Sequence, residues 1–245
     1  MPQPLLSIII PAHNEETRLP KTLEQLIDFI SKQSFTSEIL VVENASTDRT
    51  YQIAEEFNHK FPGLVRVFQE ALPGKGRAIL TGMLKATGKY RFFADADLSM
   101  PPEEIVKFIP PNIDVPIAIA SREAPGAIRF NEPFYRHFTG RVFNTLIRML
   151  VLPALNDTQC GFKMFREDAV KELFTLQTMM GWSFDVELLY IASLKNIPIL
   201  EIAIPWYFNP ESKVNILRDS TRMFRDLLQI RRNGASGKYD NQSHA

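Results

Sequence analysis

Tyr90-Arg91-Phe92-Phe93-Ala94-Asp95-Ala96-Asp97 runs from buried-strand character into two carboxylates spaced i, i+2, followed by Leu98-Ser99 and Pro101-Pro102. A strand that delivers paired aspartates at its carboxyl end suits a divalent cation and the diphosphate it bridges. Mg²⁺ or Mn²⁺ is held by one or two hard carboxylates plus substrate phosphates. In open α/β sheets, ligands collect at the carboxyl ends of strands. The competing reading is a turn cap, since Asp also favours such positions.

Outward from this stretch, strand and helix signals alternate. Leu6-Ser7-Ile8-Ile9-Ile10 is a β-branched run that stops at Pro11, and Leu19 to Ile30 repeats apolar residues at helical spacing. Glu38 to Val42 predicts a second strand, Ser46-Thr47-Asp48 caps a helix over Thr50 to Phe57, and Leu64 to Phe68 predicts a third strand. Gly76 to Ala86 reads as a helix and Val115 to Ala120 as a fifth strand. Such alternation implies an α/β fold, with a mostly parallel, Rossmann-like sheet flanked by helices on both faces.

The second half changes character. Phe134 to Leu155 mixes aromatic and aliphatic residues with Arg136, His137, Arg141 and Arg148. Ser183 to Leu194 predicts a helix, Ile199 to Ile204 a strand, and Val214 to Ile230 a basic amphipathic helix. No repeat or linker divides the chain, so residues 1–233 are expected to form one domain and the polar residues 234–245 a disordered tail.

Bulk properties exclude some classes. Lysine plus arginine and aspartate plus glutamate each number 28 in 245 residues, without the basic excess of a general nucleic-acid binder. Cys160 is the only cysteine, so no intrachain disulfide can form. Met1-Pro2-Gln3-Pro4 has no secretory character, and no run approaches the ~18 uncharged apolar residues of a spanning helix. A cytoplasmic protein, soluble or peripheral on a membrane, is expected.

Four strand ends carry polar residues: Pro11-Ala12-His13-Asn14-Glu15-Glu16, Glu43-Asn44-Ala45-Ser46-Thr47-Asp48, Pro73-Gly74-Lys75-Gly76-Arg77 and Asp95-Ala96-Asp97. Each has a turn or cap explanation, and the glycine-lysine segment lacks Walker A spacing. Four at successive strand ends together make a nucleotide pocket.

This ordered series resembles glycosyltransferase family two, whose members use a GT-A fold and nucleotide-sugar donors. Asp157-Thr158-Gln159-Cys160-Gly161-Phe162-Lys163 and Trp182-Ser183-Phe184-Asp185-Val186-Glu187 narrow the likeness to the branch that glycosylates dolichyl and other polyprenyl phosphates. The resemblance implies an inverting, metal-dependent hexosyltransferase, with UDP-glucose the favoured donor. It places Pro11, Ala12, Asn14 and Glu15 around the nucleotide, with Asp48 and Lys75 in the same pocket. Glu43 stands where many relatives have Asp and would face the base or ribose. Asp95, Ala96 and Asp97 would meet the diphosphate, with Asp95 and Asp97 holding Mg²⁺ or Mn²⁺.

The acceptor determines the remaining chemistry. A hydroxyl acceptor needs a general base, for which Asp185 is the leading catalytic candidate and Glu187 the second. Acids in a first helical turn also simply favour the macrodipole. A phosphate monoester is already anionic, with a second pKa near ~6. Arg122, Arg136 and Arg141 are the expected acceptor-phosphate ligands, since guanidinium binds phosphate through paired donors. The basic amphipathic segments allow peripheral membrane contact as well as core packing. Other readings are a family-two enzyme with a soluble hydroxyl acceptor, or a non-catalytic nucleotide-sugar-binding protein.

Overall fold

The apolar runs at Leu6–Ala12 (β1) and Ser37–Asn44 (β2) pair as parallel strands in the computed structural model. The structure describes residues 3–97, 99–209 and 216–240, apart from the side chains of 135, 136, 138, 139, 143 and 216–220. Helix α1 (Leu19–Ser31) links β1 to β2, and α2 (Thr50–Lys60) links β2 to β3 (Val65–Glu70). Helix α3 (Lys75–Lys85) leads to β4 (Tyr90–Ala94). A 3-10 helix at Pro102–Phe108 precedes β5 (Ile117–Ser121), β6 (Ile128–Phe130) and α4 (Phe134–Leu150). Then come β7 (Phe162–Arg166), α5 (Glu167–Leu173), α6 (Phe184–Leu194), β8 (Ile199–Ala203), β9 (Pro205–Tyr207) and α7 (Ile216–Ala235).

Seven strands form one sheet in the order β3-β2-β1-β4-β7-β5-β8, and β6 pairs with β9. All pairings in the large sheet are parallel except those of β7, which runs antiparallel to β4 and β5. Successive strand residues point to opposite faces, so an unbroken apolar run fills two cores. Ile9, Leu40, Val42 and Phe93 pack with Ile79, Phe165 and Phe184 on one face. Ile8, Ile10, Val41 and Phe92 pack with Leu23, Leu26 and Phe29 on the other.

Two departures from the sequence expectation bear on the site. Strand β7 and helix α5 were not anticipated, because Phe162–Arg166 is short and carries a lysine and an arginine. That lysine, Lys163, is fully buried. The expected disorder from Gly234 onward is also corrected for residues 234–240. Helix α7 continues to Ala235, and Tyr239 is buried, donating from its hydroxyl to Glu187 at 2.8 Å. Residues 241–245 lie outside the described residues.

Candidate active site

The parallel strands end together, and their loops enclose a cavity of about 910 Å³ beside the start of α3. Of the sequence-predicted residues, Pro11, Ala12, Asn14, Glu15, Lys75, Asp95, Ala96 and Asp97 reach its wall. The loops after β1 and β2 are laced by side-chain-to-backbone hydrogen bonds. Asn14 adopts a left-handed conformation with φ of 54°, tolerable for an Asn, and its Oδ1 accepts from Thr47 N at 2.8 Å. Glu15 N donates to Thr50 Oγ1 at 2.7 Å, and Glu16 N to Asp48 Oδ2 at 3.2 Å.

Glu43 and Asp48 therefore lie outside the wall. Glu43 is buried, with Oε1 accepting from Ser46 N at 2.5 Å and Oε2 from Gln69 at 3.3 Å. Asp48 accepts from Glu16 N and from both the backbone N and the hydroxyl of Thr50. Both carboxylates shape the loops that the other residues line. Asn44, buried next to Glu43, reaches the wall in its place. It donates to the carbonyls of Glu70 and Leu72, while its Oδ1 accepts from Gly74 N at 2.8 Å.

Asp95 and Asp97 sit at the turn out of β4. The hydroxyl of Thr22 on α1 donates to Ala96 O at 2.5 Å, and Asp97 Oδ1 accepts from Ser99 N at 3.0 Å. The turn-cap reading of Asp97 is thus correct without excluding a ligand role. Gly161, just before β7, receives Asp95 N at its carbonyl, and a Cβ there would overlap the Asp95 carboxylate. Burial raises the Asp97 pKa, and the neighbouring Asp95 charge raises it further. Burial alone would lower the pKa of Lys75. The charge and hydrogen bond of Asp95 offset this, with help from Asp185 and Asp97, and the net shift is upward. Lys75 Nζ lies 2.5 Å from Asp95 Oδ1 and 5.3 Å from the centre of the Trp182 ring.

The two carboxylates, close enough that the Asp95 charge helps raise the Asp97 pKa, provide a negative spot suited to a cation. Among the described residues no group of three or more His, Cys, Asp or Glu could hold a metal alone. The donor set therefore fits Mg²⁺ or Mn²⁺ completed by diphosphate oxygens and water.

The far wall is the segment 178–182, which was missed at the level of individual residues apart from Trp182. Its anchor is Glu187 on α6, fully buried and accepting from Thr178 N at 2.8 Å, Met179 N at 2.7 Å, the Thr178 hydroxyl and Tyr239. The carbonyls of Gly181 and Met180 accept from Gly76 N and Arg77 N, tying this segment to the start of α3 and satisfying the Gly76 donor that the helix start leaves open. Gly74 makes that approach possible. Its φ is 148°, and a Cβ there would collide with Met180 O. His13, Asn44 and Arg77, quoted only within the strand-end runs, also reach the wall, as do Arg18, Arg222 and Asp226, which were not singled out as site residues.

The remaining predicted residues stand elsewhere. Asp185, in the first turn of α6, is buried outside the wall, with Oδ2 3.1 Å from Lys163 Nζ. Arg122 forms a bidentate pair with Asp157 at 2.7 and 2.9 Å, and its backbone N adds a third bond at 3.0 Å. Its fork is spent on that carboxylate, away from the cavity. Arg141 is exposed on α4, and the Arg136 side chain lies outside the described residues.

The family model for "Glycosyl transferase family 2" matches residues 7–174. A dolichyl-phosphate beta-glucosyltransferase of Drosophila melanogaster is 36% identical across 92% of this chain and 74% of that protein. The Dictyostelium discoideum and Homo sapiens proteins of the same name are 32% and 33% identical, covering 92% and 94% of this chain and 73% and 76% of theirs. Glucosyl-3-phosphoglycerate synthase from Mycobacterium tuberculosis, solved with Mn²⁺, UDP-glucose and phosphoglyceric acid, superposes with a TM-score of 0.70 at 16% identity. That alignment covers 93% of this chain and 79% of the other, and bears out the expected GT-A fold. The chain belongs to glycosyl transferase family 2 and is a glycosyltransferase.

Proposed function

From this membership we propose that the enzyme transfers glucose from UDP-glucose to dolichyl phosphate or a related polyprenyl phosphate, with residues 1–233 acting as one catalytic unit. The observation that carries the reading is the cavity that joins Asp95, Asp97 and Lys75 to the loops after β1 and β2. The dolichyl-phosphate glucosyltransferases that match most of the chain, and the Mn²⁺ and UDP-glucose bound by the structural neighbour, support the acceptor, donor and metal.

In this reading an oxygen of the acceptor phosphate attacks the anomeric carbon of glucose. The bond from that carbon to the UDP oxygen breaks, and a glucosyl phosphodiester and UDP result, with inversion as the resemblance implies. A divalent cation held by Asp95 and Asp97 would neutralise charge on the departing diphosphate. Lys75 adds a positive charge beside the same carboxylates. The loops around Asn14 and Glu15 hold the nucleoside end.

The position of Asp185 favours a phosphate over a hydroxyl acceptor. A hydroxyl must lose a proton to a base that reaches it. Asp185 is instead buried against Lys163, whose Nζ also donates to Cys160 O at 2.5 Å. A phosphate monoester needs no such base. Asp185 then fixes Lys163 beneath the site.

Labelled UDP-glucose, a short polyprenyl phosphate and Mn²⁺ or Mg²⁺ should give lipid-linked glucose. Asp97→Asn should lower turnover by about 10²-fold or more, as loss of a group stabilising developing charge does. Failure to form a lipid-linked product from any nucleotide sugar would sink the reading.

A further inference from the structure

Four cationic side chains reach the cavity wall: Arg18, Lys75, Arg77 and Arg222. Two are already matched. Arg18 donates through Nε and Nη2 to the two oxygens of Glu15, each at 2.6 Å, and Lys75 lies on Asp95. The side chains of Arg77, in the first turn of α3, and Arg222, on α7, make no hydrogen bond or ion pair among the described residues. Asp226 follows Arg222 by one helical turn and also reaches the wall, but its Oδ2 accepts from Ser183 Oγ at 2.8 Å. Arg77 Nε is buried without an acceptor. A buried charged donor left unsatisfied is costly, and in a native protein such a group calls for a partner.

The cavity is thus divided by charge. Asp95 and Asp97 suit a cation carrying the donor diphosphate, whereas Arg77 and Arg222 offer guanidinium donors that no carboxylate has claimed. An enzyme joining a diphosphate donor to a phosphate acceptor must hold two phosphate-bearing groups in one space without letting them repel each other out of it. We propose that Arg77 and Arg222 bind the phosphate monoester of the acceptor. This assignment rests on the proposed function, and it adds to the expected acceptor-phosphate ligands Arg122, Arg136 and Arg141, of which Arg122 is paired with Asp157, Arg141 is outside the wall and the Arg136 side chain is outside the described residues.

The test uses the full chain with Arg77→Ala, Arg77→Lys and Arg222→Ala. Thermal unfolding first identifies variants that keep the wild-type melting temperature, and Arg77→Lys serves if Arg77→Ala does not. Rates are measured against a short polyprenyl phosphate at saturating UDP-glucose, and against UDP-glucose at fixed acceptor. Loss of a charge-assisted hydrogen bond should raise the acceptor KM about tenfold or more in each alanine variant. Arg77→Lys should fall between, since it keeps charge but loses the fork. UDP-glucose KM and the affinity for Mn²⁺ with UDP should stay within about twofold.

A separate arm titrates the polyprenyl phosphate in detergent, and inorganic phosphate without lipid, into the protein loaded with Mn²⁺ and UDP. Binding of either that Arg77→Lys and Arg222→Ala weaken supports the subsite, and the two probes separate a lipid headgroup from free phosphate. Weakened Mn²⁺–UDP binding would assign the arginines to the donor and overturn the proposal. Unchanged phosphate binding would overturn it too. If the wild type binds phosphate through these arginines yet makes no lipid-linked glucose, the proposed function fails while the subsite stands.

Discussion

Gly161 shows how one atom can decide where the Asp95 carboxylate is placed. Its carbonyl accepts from Asp95 N at 3.2 Å, and its missing side chain leaves the space that the Asp95 carboxylate occupies. Gly161→Ala should push that carboxylate aside and lower kcat by about 10²-fold, the cost of misplacing a reacting group by about an ångström. Overpacking should also cost about 1–3 kcal/mol of stability. Steady-state kinetics with urea unfolding will separate the two effects, and an unchanged kcat would remove Gly161 from the site. Asp95 and Asp97 were legible because their spacing follows an apolar strand. Gly161 was quoted only within a family motif, since no one-dimensional spacing links positions 161 and 95. Strand β7 brings them together by pairing Phe162 with Ala94. Glu43 shows the opposite limit: its residue type and strand-end position suggested a ligand contact, while the local hydrogen bonds of Ser46 and Gln69 had already consumed its carboxylate.

At the scale of elements, β1 to β4 were readable because each is an apolar run broken by polar loop residues. Strand β5 starts two residues later than expected, at Ile117. The segment from 151 to 161 has no such periodicity and is placed by side-chain bonds. Arg122 at the end of β5 grips Asp157 in it, and Glu201 on β8 accepts from Asn156 N and Asp157 N. Burial by itself would raise the pKa of Asp157, but the charge and hydrogen bonds of Arg122 hold it down at about 2. An unfolded Asp titrates near ~3.9, so the unfolded chain takes up this proton first as pH falls. The staple is therefore fully stabilising above pH ~4, contributes about 2 kcal/mol there, and is lost as pH drops from ~4 through about 2. Asp157→Asn should remove that contribution at pH 7 and strand the Arg122 charge, for a total loss of about 3–5 kcal/mol. Urea unfolding at pH 7 and pH 3 should show a smaller acid loss in the variant than in the wild type. Equal losses would show that Asp157 does not drive acid sensitivity.

For the molecule as a whole, the zero net charge conceals an uneven surface. Helix α4 exposes Phe134, Val142 and Met149 beside Arg141 and Arg148, and it packs against α7, which exposes Phe224 and Leu228 with Arg225, Arg231 and Arg232. The amphipathic pattern of these segments was visible in the sequence. Which apolar residues would find a core was not, because that depends on how the two helices meet; Ile147, Leu227 and Ile230 are buried while their neighbours are not. No helix among the described residues is long and apolar enough to cross a membrane. Exposed apolar side chains interleaved with arginines match the chemistry of an anionic bilayer surface, where each arginine contributes about 1 kcal/mol. An enzyme whose acceptor is dissolved in that bilayer gains access to it by lying on the surface. The protein should therefore sediment with vesicles containing phosphatidylserine, less with neutral vesicles, and detach as salt rises because the Debye length shrinks to about 3 Å at 1 M. Phe134→Ser with Met149→Ser should weaken vesicle binding with little change in melting temperature, since both side chains are already largely in solvent, at 83% and 77% exposure. Transfer to a short, water-soluble polyprenyl phosphate should be unaffected by that double substitution, while transfer to a long-chain acceptor embedded in vesicles should fall. Equal loss with both acceptors would mean that the helices shape the site and do not dock it on a membrane.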